Sequence, residues 1–493
     1  MGPLAAESRG AAVMLGFVND LLWNYVLTVV LVAIGLAFTV ASRFVQFRYF
    51  GRMFGTLVGA FGRQPGHLSS FQALMLSVAG RVGAGNIAGV AVAIGLGGPG
   101  AVFWMWIIGL IGMATSFFEC SLAQLFKIAE PDGTYRGGPA YYIERGLKMR
   151  WLAALFSGLL LVTFGFSFTA LQSYTTATSV ADAFGVPPLV TGIVLVAVVG
   201  LIVFGGIRRI AEVADIVVPV MAVGYVVMTL VVIVLNAGAV PGVLALIFKS
   251  AFGLEPAIGG TMGAAITMGV RRGLFSNEAG LGSAPNVAAI AYVKHPGAQG
   301  VVQAFSVFID TLIICSCTAC IILLSGVYQP GSELKGIELT QAALANVVGE
   351  WGRSFVSVAL MLFAFTSIIY NYYLGENSLN FFSNENRTLF TIYRVLTLIL
   401  VMWGSQQDLS TVFAFADLTM GLLALVNLAA LVMLFRVGMR ILRDYDRQIA
   451  AGVGSPVFDA AQFADLDLDR EAWIVEQEPP AATKGGHVSP ARR

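Results

Sequence analysis

The chain has 493 residues, 57% of them hydrophobic and only 12% charged, with a mean hydropathy of +0.81 and a formal net charge of +1. Soluble domains carry about 25% charged residues, so this composition excludes an ordinary water-facing globule. The near-zero net charge gives no sign of a nucleic-acid partner.

Apolar runs of about 20 residues, long enough to cross the hydrocarbon core of a bilayer, recur along the chain. They predict an all-α polytopic membrane protein with about eleven transmembrane helices. The first span is Asn19 to Ala41, followed by a basic amphipathic connection carrying Arg43, Arg48, Arg52 and Arg63. The second is about Ser69 to Leu96, and after the turn Gly97-Gly-Pro-Gly100 the third runs from Ala101 to about Ile128. A polar connection with Lys127, Arg136, Arg145, Lys148 and Arg150 leads to the fourth, Trp151 to Phe184, which stops at Pro187-Pro188. The fifth is Leu189 to Phe204, the sixth Ala211 to Leu235 and the seventh Pro256 to Ala291. The eighth is Gln299 to Gly326, the ninth Phe355 to Tyr373, the tenth Leu389 to Gly404 and the eleventh Leu409 to Phe435. Asp444 to Arg493 is acidic and poor in aromatics, the composition of a mobile tail. The N-terminus has no basic n-region followed by a small-residue cleavage site, so no signal peptide is read.

With the N-terminus outside, Arg43 to Arg63, Lys127 to Arg150, Arg208/Arg209, Lys294, Arg387 and Arg436/Arg440/Arg443 all fall inside. The opposite connections hold mainly Lys249, Lys335 and Arg353, so the C-terminus is expected in the cytoplasm of a plasma-membrane protein.

Two spans are damaged. The second contains Ser77-Val-Ala-Gly-Arg-Val-Gly-Ala-Gly-Asn-Ile-Ala-Gly89. The seventh contains Gly269-Val-Arg-Arg-Gly-Leu-Phe-Ser-Asn-Glu-Ala-Gly-Leu-Gly-Ser-Ala-Pro285. Each interior glycine lowers helix stability by about 1 kcal/mol relative to alanine. Tight helix packing accounts for glycines, but not for Arg81, Asn86, Arg271, Asn277 and Glu278 beside them at membrane depth. Irregular backbone survives there only where protein buries it or a cavity receives it. The damaged spans are five apart, an odd number, so two five-span units lie in opposite orientations. Spans 2–6 (69–237) and 7–11 (256–435) then form an inverted repeat, with 19–42 as an added helix, 1–18 as an N-terminal segment and 444–493 as the tail. Discontinuous helices at matching positions of such repeats point to the midplane site of a transporter.

Other classes fit less well. His67, His295 and His487 are the only histidines and form no His-Glu-x-x-His, and no Gly-x-Ser-x-Gly motif occurs, so an enzyme is not expected. Cys317-Thr-Ala-Cys320 lies in an apolar segment and reads as packing. Gly83-Ala-Gly-Asn-Ile-Ala88 mimics a dinucleotide fingerprint but follows no strand, so no organic cofactor is expected. A channel needs no matched pair of broken helices.

Four motifs carry a resemblance: Gly80-Arg-Val-Gly-Ala-Gly-Asn-Ile-Ala-Gly89, Gly133-Thr-Tyr-Arg-Gly-Gly-Pro-Ala-Tyr-Tyr142, Gly273 to Pro285 and Phe308-Ile-Asp-Thr-Leu312. With them the chain resembles the alanine or glycine:cation symporter family of the amino acid–polyamine–cation superfamily, from about Asn19 to Arg443. The resemblance implies a leucine-transporter-type fold and sodium-driven import of small neutral amino acids, with alanine or glycine ranked first. It implies sodium ligands at the Ala79, Val82 and Phe363 carbonyls and at Thr366 and Ser367. The residues alone leave open a second explanation, in which Thr366 and Ser367 bond back to the preceding helical turn. A second superfamily ion site corresponds to Asn86 and Ser276. Arg81 crowds it, so one sodium is expected, with Arg81 paired to Glu119 or Glu278. For the substrate, the amides of Ala84, Gly85 and Asn86 are assigned to the carboxylate and the carbonyls around Arg81, Phe275 and Ser276 to the ammonium, with Asn277 beside them; Gln172 is either a polar gate or a bridge between helices.

Ser367 and Asn371 are four apart and share a helix face. Alanine-transporting relatives look to carry Trp at the position of Asn371; an amide there widens the pocket and favours a larger polar substrate such as glutamine. Glu119, Glu278 and Asp310 are the deep carboxylates, each a relay or half of an ion pair. A proton-coupled carrier, in which Asp310 or Glu278 titrates, is the alternative on the same scaffold.

Overall fold

The computed structural model describes residues 16, 18–60, 67–254, 261–331, 334, 336–383, 386–407 and 409–473. Residues 1–15, Arg63, residues 256–260 at the start of the seventh expected span, Lys335 and residues 474–493 lie outside them.

Helix α1 covers Val18–Ala41 and α2, the amphipathic connection, Phe50–Ala60. The second span is broken: α3 (Ser70–Arg81) and α4 (Gly85–Gly97) meet at a bend of 51°. Helix α5 is Gly100–Leu125, followed by a short antiparallel pair, β1 (Ile128–Ala129) and β2 (Tyr135–Arg136). Then come α6 (Arg150–Phe184), α7 (Pro188–Val203), α8 (Gly206–Leu235) and α9 (Val240–Ala251). The seventh span is broken as well, into α10 (Met262–Asn277) and the short α11 (Ala284–Ala288). The rest is α12 (Pro296–Leu324), α13 (Ile337–Val348), α14 (Trp351–Ser383), α15 (Arg387–Gly404), α16 (Leu409–Met433) and α17 (Phe435–Ala450). Among the described residues, eight helices are long and apolar enough to cross a membrane, or nine when the bent pair counts as one span.

Three expectations change. Helix α14 runs ten residues past Tyr373, because Glu376 there finds Arg394 and Arg136 as ion partners and Asn377 binds the Gly137 carbonyl. Helices α9 and α13 fill two connections between the expected spans; α13 is capped on both sides by glycines of positive φ, Gly336 and Gly349. The mobile-tail reading fails for Asp444 to Trp473. Asp444 to Ala450 is helical, and Phe458, Phe463 and Trp473 are buried. The polar residues that looked like a solvated tail bind the basic connections instead: Asp467 to Lys148, Asp465 to Arg440, and Asp469 to the Ala129 amide at 3.0 Å. The Trp473 indole donates to the Leu125 carbonyl at 3.1 Å.

On that same face the ends of the broken spans are tied together. Leu68, just before α3, pairs in parallel with Ala291, just after α11, and the Tyr292 amide donates to the Leu68 carbonyl at 2.9 Å. His295 caps α12 by accepting from the Gly297 amide at its Nδ1, and its Nε2 lies 3.0 Å from Asp444. This requires a neutral ring that donates from Nε2. Burial holds the His295 pKa below its usual 6.5, with Asp444 acting in the opposite direction.

A group whose folded pKa is depressed binds fewer protons when folded, so its stability contribution disappears as pH falls from about 6.5 through the folded value. The thermal midpoint is therefore expected to drop below about pH 6.5. His295→Gln, which keeps an acceptor and a donor, should flatten that drop; an unchanged pH profile would refute the assignment.

Candidate functional site

The two breaks face each other in the middle of the bundle, and every residue assigned to the site lies buried or nearly so. Helix α3 ends at Arg81, where Val82 turns extended (φ −83°, ψ 93°), and α4 restarts in π geometry over Gly85–Gly89. Helix α10 ends with Glu278 in the left-handed region (φ 54°), an uncommon conformation for a residue with a Cβ. Two more π stretches, Leu161–Phe168 in α6 and Phe308–Ile314 in α12, pass the same region. Such widened turns are found mostly at functional sites.

Arg81 is only 2% exposed, and its guanidinium crosses from one break to the other. It donates to the Asn277 carbonyl at the end of α10 and to Ser116 Oγ at 3.1 Å. A cation there compensates the negative end of the α10 dipole. The expected pairing with Glu119 or Glu278 is not made as a contact. Both carboxylates are near enough to act on it electrostatically, but no ion pair forms within 4 Å among the described residues. Their hydrogen-bonding partners lie elsewhere. Glu119 accepts from the Gly280 amide and from Asn427, each at 3.2 Å. Glu278 accepts from Ser283 at 2.6 Å and from the Tyr370 hydroxyl at 3.2 Å.

Asp310, Asn86 and Ser276 form one cluster. The Asp310 carboxylate accepts from Asn86 Nδ2 at 2.6 Å, Ser276 Oγ at 2.9 Å and Thr311 Oγ1 at 2.7 Å. Asn86 Oδ1 accepts from the Gly83 amide at 2.9 Å, so the same side chain holds the bend of its own break.

Ser367 Oγ lies 2.9 Å from the Ala79 carbonyl and 3.0 Å from the Phe363 carbonyl, and Thr366 Oγ1 lies 2.9 Å from Phe363 O. Helix α14 thus brings Ala79, Phe363, Thr366 and Ser367 together, with the peptide after Val82 beside them. A Cβ on Gly83 would stand 2.7 Å from Ser367 Oγ and 2.8 Å from Gln172 Nε2. Back-bonding to the preceding turn is present too, through Phe363 O. The link to Ala79 is what a purely local bond would lack.

The amides assigned to a carboxylate are partly engaged. The Ala84 amide donates to Gln172 Oε1 at 3.2 Å and the Asn86 amide to the Gly83 carbonyl at 3.2 Å. Gln172 therefore ties the break to α6. Asn277 accepts from the Ala279 amide at 2.9 Å, and its Nδ2 is buried without a partner. Phe275 stacks on Phe168 at 5.1 Å. Asn371, 1% exposed, has an Nδ2 with no partner.

Reading the sequence did not assign Tyr370, Ser116, Asn427 or Thr311 to the site. Tyr370 was within reach, since it lies three residues after Ser367 on the same helix face. Thr311 stood in the Phe308–Leu312 motif beside Asp310, whereas Ser116 and Asn427 lie on helices whose rotation no motif marked.

The model of the sodium:alanine symporter family matches residues 9–460. This chain belongs to that family. The symporter is a transporter and not an enzyme. It is 48% identical to a protein of Bacillus subtilis (strain 168) named a probable sodium/glutamine symporter, over 90% of this chain and 92% of that one. It is 39% identical to a sodium/proton-dependent alanine carrier protein of Bacillus sp. (strain PS3), over 80% and 92% of the two chains. It is 36% identical to a sodium/alanine symporter of Methanococcus maripaludis, over 85% and 93%. Among solved structures, a manganese transporter of Eremococcus coleocola aligns with a TM-score of 0.49 at 16% identity, over 76% of this chain and 78% of that one, too distant to carry an argument.

Because Gly83 separates Ser367 from Gln172 with no room for a Cβ, Gly83→Ala should lower sodium-driven uptake by at least about tenfold, about 1.4 kcal/mol. The variant should still reach the membrane; uptake within twofold of the parent would remove Gly83 from the site.

Proposed function

We propose that the symporter imports small neutral amino acids, alanine or glycine first, by alternating access coupled to one sodium ion held between α3 and α14. The observation that carries this reading is Ser367 Oγ, which joins the Ala79 carbonyl of the broken span to the Phe363 carbonyl of an unbroken one. Sodium is a hard cation satisfied by carbonyl and hydroxyl oxygens. In place of the hydroxyl protons, it would bind the Ala79, Val82 and Phe363 carbonyls with Thr366 and Ser367, cross-linking a half-helix to its scaffold. Ion binding then favours one arrangement of the broken span, and release favours the other. The 5+5 inverted repeat of spans 2–6 and 7–11 fits two breaks that face each other. A cytoplasmic C-terminus fits the basic connections gathered on the Lys127 side.

For the substrate, the Gly85 side of the break and the Ser276 region lie against each other beside Asn86 and Asp310. Asp310 is read as a proton or cation relay and Glu119 as a structural carboxylate. A second reading, glutamine as substrate, is favoured by Asn371, whose unpartnered Nδ2 lies on the Ser367 face of α14. A buried amide donor without a partner costs about 1–3 kcal/mol, which a substrate carboxamide would recover.

Thr366→Ala should raise the sodium concentration for half-maximal alanine uptake about tenfold, the loss of one ion ligand worth about 1.4 kcal/mol. Uptake that follows pH and ignores sodium would instead establish proton coupling. Asn371→Trp should narrow uptake to alanine and glycine. Equal competition by glutamine before and after that change would remove Asn371 from the pocket.

A further inference from the structure

On the Gly97 side of the break lies a cavity of about 390 Å³, lined by Ala84, Gly85, Phe275, Tyr174, Arg272 and Glu338 among others. Its volume falls within the range of small-molecule sites, about 300–1,000 Å³. Neither Arg272 nor Glu338 takes part in the ion site or the pocket described above.

On the α10 side of the cavity the charges do not balance. Arg271 and Arg272 are consecutive on α10, and Asp417 of α16 is the carboxylate beside them. Arg271 takes Asp417 in an ion pair. Arg272 makes no ion pair among the described residues; its guanidinium sits 5.6 Å from the centre of the Phe275 ring, and its Nε is buried without a partner. Two cations against one anion leave a surplus positive charge at the edge of the membrane interior, where an unpaired cation is costly. Across the cavity, Glu338 is exposed in the first turn of α13. That turn is fixed over α4, since Thr340 Oγ1 lies 3.4 Å from the Ile87 carbonyl and a Cβ on Gly336 would stand 3.9 Å from Val92. A guanidinium binds a carboxylate with paired donors, and a carboxylate binds an ammonium.

We propose that this cavity is an outer station for the amino acid zwitterion, with Arg272 taking the α-carboxylate and Glu338 the α-ammonium. Phe275, stacked on Phe168, forms its floor. The substrate waits here before that floor opens toward Asn86 and Asn371. The station selects for the two charges that every amino acid shares, while the deeper pocket reads the side chain. This rests on the amino acid transport reading, and the occupancy of the station does not require sodium.

The test uses the full chain, purified and in proteoliposomes, with radiolabelled L-alanine and L-glutamine as probes. In choline buffer without sodium, the parent should show weak saturable binding that Thr366→Ala retains and that Arg272→Gln and Glu338→Gln each lower at least tenfold. In uptake, Arg272→Gln should raise KM at least tenfold with the maximal rate within twofold, and Arg272→Lys should recover part of the loss. Should Arg272→Gln fail to fold, the exposed Glu338→Gln decides by the same two readouts. Sodium-free binding that neither substitution changes, or no sodium-free binding with KM unchanged, overturns the station. No binding or uptake of either probe by the parent, even with sodium, overturns the transport reading itself.

Discussion

A broken helix inside a membrane leaves amides and carbonyls that no water is there to satisfy, and each orphan costs free energy comparable to a lost hydrogen bond. The architecture of this symporter follows from meeting that demand twice in one place. Arg81, at the end of one half-helix, donates to the Asn277 carbonyl at the end of the other. Gln172 accepts the Ala84 amide, Asn86 accepts the Gly83 amide, and Glu119 accepts the Gly280 amide. Arg81, Gln172 and Glu119 close these orphans from a different part of the chain, while Asn86 closes one within its own break. The breaks therefore cannot be stable without their neighbours, and the neighbours bury polar groups only because the breaks are there.

The same bonds explain why the site can move. Ser367 links α14 to the Ala79 carbonyl and Gln172 links α6 to the Ala84 amide, and such links exchange partners with an ion or a substrate at little net cost. The far face is tied differently. There the Leu68–Ala291 pairing joins the ends of the two broken spans, and the C-terminal segment from Phe458 to Trp473 lies against the connections beside them. The Gly97 side of the break opens on a cavity, and the other side is strapped by the Leu68–Ala291 pairing.

The family's relatives bear names that divide between alanine and glutamine, and the chain's own residues show where such a division can arise. Ser367 reaches the backbone of the break at the Ala79 carbonyl, while Thr366 bonds to Phe363 O on its own helix. Asn371, one turn further along α14, carries the unpartnered amide. Specificity in an apolar pocket is modest for a methylene but large where a polar group is left without a partner.

The sequence by itself determined the membrane class, most span positions, both breaks and the family, because these are written in local composition: twenty-residue apolar runs, glycines next to buried charges, and long contiguous motifs. It also placed Ser367 on one face with Asn371, since helix periodicity alone does that. Only the tertiary structure decided which partner each polar group takes. Arg81 had two carboxylates in range by sequence and binds a carbonyl instead, because the α10 terminus is nearer than either and already carries partial negative charge. The acidic segment after Asp444 read as solvated because composition cannot show that Lys148, Arg440 and the Ala129 amide lie opposite it. Such contacts span up to several hundred residues of chain, and the rotation of each helix that sets them is fixed by packing against all its neighbours at once.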